Sequence, residues 1–241
     1  MKTRKFDKCI IILMFIIIIS LFTNFTYESF DNKNSLNHSK WIVLLTTCVD
    51  INSNSSDIEY RKKLYHEQIT HWLTKTNLPI FVVESSDYPF DDIKNDRLTV
   101  FHFKQSSISS STQGEAESIK YALKQLMNNE KYIHCTHVLK VTGRYFLDDI
   151  ENKLEMIEPN NDLYLQIHRH SEWQNSEYYG IKKELFKPFI ESLPVDYLME
   201  QHLYDFSLNK KWTTIGPFPN TIPRGGDSQI IRELFSSKNL S

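Results

Sequence analysis

Arg144 follows Thr142-Gly143 at the end of the apolar, β-branched run His137-Val138-Leu139-Lys140-Val141. Such a run reads as a buried strand, and Thr-Gly as the sharp turn that ends it. Ligand crevices of open α/β sheets lie at the carboxyl ends of strands, so a guanidinium delivered there meets either a ligand or a neighbouring acid. Lys140 has two uses as well. Its head can reach an anion, or its stem can pack on apolar neighbours while the ammonium pairs with Glu115 or another acid. His168 and His170 would share one face of a strand, but no third ligand is near in sequence, so they read as surface histidines rather than a metal site. Cys48 and Cys135 lack metal-ligand spacing and can either pair or remain free thiols.

The elements that must position these residues alternate through the first two thirds of the body. Residues 41–47 form a strand apolar on both faces. Residues 57–75 form a helix whose stripe is Ile58, Tyr65, Ile69, Trp72 and Thr76. Strands follow at 79–84 and 98–103. Thr112 and Glu115 have the spacing of a capping box, which predicts a helix start there, with Ala116, Ile119, Leu123, Leu126 and Met127 as its buried face. After the strand at 137–142 come a short helix through Ile150, Leu154 and Ile157, a strand at 163–168, and a brief strand at 178–181 leading into a helix up to Ser192. Pro194 is expected to open a helix carrying Leu198, His202 and Phe206 on one face, with Glu200 near its middle. A strand at 212–216, a Pro- and Gly-rich loop at 217–226 and a helix at 227–235 complete the chain. Alternating strands and helices predict an α/β fold, with a mixed, mostly parallel central sheet flanked by helices in a single domain over residues 40–241.

The amino terminus lies outside that domain. Lys2, Arg4, Lys5 and Lys8 precede an apolar run from Cys9 to Phe22, and no small-x-small cleavage site follows it. The expected layout is a cytoplasmic tail at 1–8, a transmembrane signal anchor at 9–25, a polar stem at 26–39 and the body on the far side of the membrane, a single-pass type II protein. Asn24, Asn37, Asn54 and Asn239 each open an N-x-Ser/Thr triplet, the acceptor pattern for N-glycosylation. A formal net charge of −2 over 241 residues supplies no electrostatic case for nucleic acid. Thr46-Thr47-Cys48-Val49-Asp50 occupies the place where a dinucleotide-binding protein has G-x-G-x-x-G, and neither a P-loop nor a G-x-S-x-G elbow occurs.

Four stretches carry a family likeness: Thr112-Gln113-Gly114-Glu115-Ala116-Glu117-Ser118-Ile119, Val138 to Phe146, Tyr178-Tyr179-Gly180-Ile181-Lys182, and Arg224-Gly225-Gly226-Asp227-Ser228-Gln229. On these, and on the anchor–stem–body layout, residues 41 to 235 resemble the small GT-A-like glycosyltransferases of viruses and microbes. The resemblance implies a sheet of the nucleotide-diphospho-sugar transferase type, a nucleotide-sugar donor and a glycan or protein acceptor. It departs from the family at one point, since Lys140-Val141-Thr142-Gly143-Arg144 replaces the metal-binding Asp-x-Asp. The resemblance therefore implies donor contacts from Gln113, Glu115, Lys140, Thr142, Gly143, Arg144 and Tyr145. Arg144, with Lys140, would neutralise the phosphates without a metal. Asp148-Asp149 is the second choice, as a displaced site for Mn2+ or Mg2+, or else a cap on the next helix.

Transfer to a hydroxyl also needs a group to take its proton. The candidates are Glu200, Asp227 and His168, each with a plainer use: a solvated helix face for Glu200, an N-cap for Asp227 and the surface for His168. Tyr178, Tyr179 and Arg224 are candidate acceptor contacts, and Tyr145, Trp173, Tyr178 and Tyr179 are candidate sugar platforms, although aromatic residues more often pack in cores. The rival expectation is a non-catalytic lumenal carbohydrate-binding or interaction module on the same fold.

Overall fold

Trp41–Thr47 (β1) is buried along its whole length, as an uncharged apolar strand at the middle of a sheet must be. In the computed structural model, which describes residues 40–50, 55–105, 111–127, 129–157, 160–166, 172–194, 197–216 and 218, β1 pairs in parallel with Ile80–Glu84 (β2) and His137–Thr142 (β4). Leu98–His102 (β3) pairs in parallel with β2. Beyond β4 the direction changes: Tyr178–Lys182 (β6) is antiparallel to both β4 and Leu163–Leu165 (β5), and Trp212–Thr214 (β7) is parallel to β5. Among the described residues the sheet has seven strands, in the order β3-β2-β1-β4-β6-β5-β7. It is the mixed, mostly parallel α/β sheet that the alternation of elements predicts, and the described residues belong to one compact unit.

Successive residues of β1 point to opposite faces, so one strand feeds two cores. Ile42 and Leu44 pack with Ser111–Met127 (α2), Lys183–Glu191 (α4) and Met199–Ser207 (α5). Trp41, Val43 and Leu45 pack with Ser55–Lys75 (α1) and Ile150–Met156 (α3). Helix α1 buries Tyr65, Ile69 and Trp72, one stripe at helical spacing. Each such side chain contributes about 1.5–3 kcal/mol on burial.

Two local expectations are corrected. The capping box does not form: α2 begins at Ser111, which places Thr112 inside the first turn. Glu115 turns inward to the ammonium of Lys140, a stronger partner than a helix-end amide. Pro194 does not open the helix: Tyr197 N–H donates to the Pro194 carbonyl at 3.3 Å, and α5 starts only at Met199. Leu198 is therefore an exposed, extended N-cap residue, and Glu200 lies in the first turn rather than mid-helix. Cys48 and Cys135 are not joined by a disulfide. Cys48 follows the carboxyl end of β1 and Cys135 precedes the amino end of β4. In a parallel pair this separates them by a strand length of about 20 Å, far beyond disulfide reach.

The anchor and stem at 1–39 and the helix at 227–235 lie outside the described residues. Among the described residues no helix is long and apolar enough to cross a membrane.

Candidate functional site

Strand order turns back at β1. The chain moves outward to β2 and β3, then returns through α2 to β4 on the other side of β1. At such a point the connections leave in opposite directions, and a crevice opens at the carboxyl ends of the two strands. A cavity of about 340 Å³ lies there. Its walls are Thr46, Thr47 and Cys48 after β1, Ser85 after β2, Gly114, Glu115 and Ser118 on α2, Thr142 and Arg144 at the end of β4, and Ser176, Glu177 and Glu200.

Close approach of the two strand ends depends on Gly143. Its N–H donates to the Thr46 carbonyl at 2.8 Å. A Cβ there would stand 3.0 Å from that oxygen and well inside contact distance of the Thr47 methyl, so a larger residue would displace the Thr47 side chain and strain the approach of the two strand ends. The neighbouring wall is held by Glu84, which is fully buried. Its carboxylate accepts from Val49 N–H at 2.7 Å, Ser86 N–H at 2.8 Å, Ser86 Oγ at 2.7 Å and Tyr88 N–H at 2.8 Å. One side chain thus ties the loop after β1 to the loop after β2.

Lys140 is fully buried beneath the cavity. Its ammonium pairs with Glu115 and donates to the Ser176 carbonyl at 2.8 Å. Of the two uses weighed for Lys140, the geometry has the ion pair.

Arg144 differs. It is half-buried on the cavity wall, its guanidinium carbon lies 5.0 Å from the Tyr145 ring centroid, and no protein acceptor reaches its Nε. No ion pair holds it among the described residues.

Opposite in sequence but adjacent in space are two acids. Glu200 accepts from Ser176 Oγ at 2.8 Å. Glu177 is buried, and burial pushes its carboxyl above the usual glutamate range. Its own backbone amide, Lys140 and Arg144 pull the other way, while Glu200 adds to the rise.

The crevice therefore gathers Glu115, Thr142, Arg144 and Glu200 from the expected set, with Gly143 and Lys140 shaping it from behind. Gln113 and Tyr145 are near neighbours in sequence but do not line the cavity. Tyr178 and Tyr179, expected as acceptor platforms, are both fully buried, one in each core. A strand between two packed layers has no solvent-facing side on which a ring could meet a sugar. Trp173 is half-buried and off the cavity. Asp148 and Asp149 are exposed and off the cavity too. Asp149 is the residue preceding α3, but at φ 59° it makes no side-chain capping bond. His168, Arg224 and Asp227 lie outside the described residues. Among the described residues no group of three or more His, Cys, Asp or Glu side chains could hold a metal ion.

Sequence reasoning missed Glu177, Ser176 and the end of β1. The strand-end rule applied to β4 would have found Thr46 to Cys48 as well. Glu177 gave no such signal. It reaches the crevice only because β6 runs antiparallel to β4, with Thr142 N–H donating to the Glu177 carbonyl at 2.7 Å.

No family model matches the sequence, and no curated protein matches it. Solved structures resemble the chain in arrangement. One is 4-diphosphocytidyl-2C-methyl-D-erythritol synthase from Anaerococcus prevotii, at 14% identity and TM-score 0.44, covering 83% of this chain and 100% of that one. A second is a glycosyltransferase involved in the glycosylation of the major capsid of PBCV-1, at 7% identity and TM-score 0.46, covering 72% and 80%. A third is a cytidylyltransferase from Leptospira borgpetersenii, at 10% identity and TM-score 0.44, covering 73% and 76%. Likeness at this level carries no information on function.

Proposed function

We propose that the chain is a glycosyltransferase that moves a sugar from a nucleotide-sugar donor to a hydroxyl of a glycan or protein. The observation that carries this reading is the cavity at the β1/β4 switch point, where Arg144, without an ion pair among the described residues, shares the walls with three carboxyl groups, those of Glu115, Glu177 and Glu200. A diphosphate against Arg144 gains charge-assisted hydrogen bonds from the guanidinium fork. Negative charge grows on the departing diphosphate, so Arg144 contributes more in the transition state than in the ground state. Glu200 is the proton acceptor of the reading. As the acceptor oxygen bonds to the anomeric carbon, its proton passes to Glu200, and the electron pair of the breaking C–O bond leaves on the diphosphate.

The test is to incubate the full chain with a panel of nucleotide sugars, with and without EDTA, and measure released nucleotide and glycosylated product. Turnover of one donor that survives EDTA supports the reading. Activity lost with EDTA and restored by manganese would move phosphate binding to Asp148 and Asp149. Sugar binding without nucleotide binding or turnover would instead be the behaviour of a carbohydrate-binding module.

The proposal includes single-pass type II anchoring through residues 9–25, with 1–8 cytoplasmic, 26–39 as stem and 40–241 as the catalytic body. The basic cluster ahead of an apolar run motivates it. Extraction of the expressed chain into alkaline carbonate as a shortened, soluble product would refute it.

A further inference from the structure

We propose that Glu177 is the proton-bearing member of a carboxyl pair in this crevice and donates a fixed hydrogen bond to a sugar hydroxyl, leaving Glu200 as the carboxylate. The ligand rests on the glycosyl-transfer reading; the division of the pair does not.

Both acids line one cavity, yet their surroundings differ. Glu200 is half-buried and has a donor, the Ser176 hydroxyl at 2.8 Å. Glu177 is 8% exposed, and no protein donor reaches its Oε2. The charged groups facing it are Lys140 from β4, Arg144 from the turn after β4 and Glu200 from α5. The Lys140 ammonium is already engaged by Glu115 and the Ser176 carbonyl. Its own backbone N–H and Arg144 favour the charged form, but burial, the larger effect, and the neighbouring Glu200 oppose a second negative charge there, whereas a neutral carboxyl meets neither cost. The raised carboxyl range of Glu177 agrees with this. A neutral carboxyl carries one O–H to donate. The backbone that carries it is held at the strand end, where Thr142 N–H donates to the Glu177 main-chain carbonyl at 2.7 Å. Ligands rich in hydroxyls supply the acceptor it lacks, and a site built to bond one hydroxyl rejects the analogue without it.

The experiment compares Glu177→Gln, Glu177→Ala and Glu200→Gln in the full chain. An amide N–H can replace a carboxylic O–H, so Glu177→Gln is expected to keep kcat/KM within about threefold of the parent. Glu177→Ala is expected to lose about thirtyfold, and Glu200→Gln a hundredfold or more, on the order of a lost general base. Donors and acceptors lacking one hydroxyl at a time identify the partner. The analogue discriminated against by the parent but not by Glu177→Ala carries the contacted hydroxyl, on the donor or the acceptor. Glu177→Gln as inactive as Glu200→Gln, or Glu177→Ala unchanged, would overturn the inference. If no nucleotide sugar is turned over, the glycosyl-transfer reading fails by itself. The pair is then judged by 13C NMR of labelled glutamate in the full chain, assigned with the same variants. A Glu177 signal titrating above the ordinary glutamate range supports the division; titration within that range overturns it.

Discussion

Replacing Lys140 by Met separates a structural strut from a phosphate ligand. The side chain is fully buried, so its ammonium has no water to fall back on. Met keeps most of the volume and the packing on Tyr179, whose ring centroid lies 5.6 Å from Nζ. The substitution removes the charged bond to the Ser176 carbonyl, at 2.8 Å, worth about 1.5–3 kcal/mol. It also leaves Glu115 without its cation. Breaking a fully buried pair costs about 3–5 kcal/mol, but the Glu115 side chain is 22% exposed and can recover part of its hydration. Relief from burying an ammonium offsets some of the remainder. The net expectation is a loss of about 2–3 kcal/mol, or about 4–12 °C in Tm for a domain of this size. Lys140→Met with Glu115→Gln should return to within about 1 kcal/mol of the parent, because the stranded charge is gone. Thermal unfolding by circular dichroism and donor affinity, measured on the same preparations, decide the matter. An unchanged Tm with weakened nucleotide-sugar binding would refute the strut and return Lys140 to the donor.

Three further outcomes are expected. Arg144→Ala should lower turnover about a hundredfold or more with Tm nearly unchanged, and Arg144→Lys should rescue little because a point charge cannot form the bidentate fork; a variant that melts early but turns over normally contradicts this. Gly143→Ala should cost about 1–3 kcal/mol and weaken donor binding as well, since the new methyl displaces the Thr47 side chain at the cavity wall; full stability in urea titration would contradict the close approach. Burial holds His137 and His202 below the usual histidine range, helped at His137 by Lys182 and opposed at His202 by its bond to the Phe189 carbonyl. A base whose folded pKa is lowered gives stability that is full above the unfolded value and lost as pH falls through it toward the folded one. Tm should therefore decline as pH drops below about 6.5, and His202→Asn should flatten part of that decline.

Much of the fold is legible in the sequence because each core element carries its own period. The uniform apolarity of Trp41 to Leu45 marks a central strand, and Tyr65, Ile69 and Trp72 mark the buried face of α1. Arg144 could be placed at a crevice for the same reason: a strand end is a local feature, and a parallel sheet gives every such end to one edge. The partners of these residues are not local. That Lys140 meets Glu115 depends on how α2 lies across β4, and the separation of Cys48 from Cys135 on strands being parallel. Tyr178 and Tyr179 sit on a strand whose alternation sends one ring into each core, which a short aromatic pair does not announce. Glu177 is the clearest case. Nothing in Ser176-Glu177-Tyr178 states the direction of the strand that follows, and only the antiparallel pairing of β6 with β4 brings that carboxyl to the same cavity as Glu200. Side-chain period is written residue by residue, but strand direction is set by which packing of all the layers buries the most apolar surface, and that is decided by the whole chain at once.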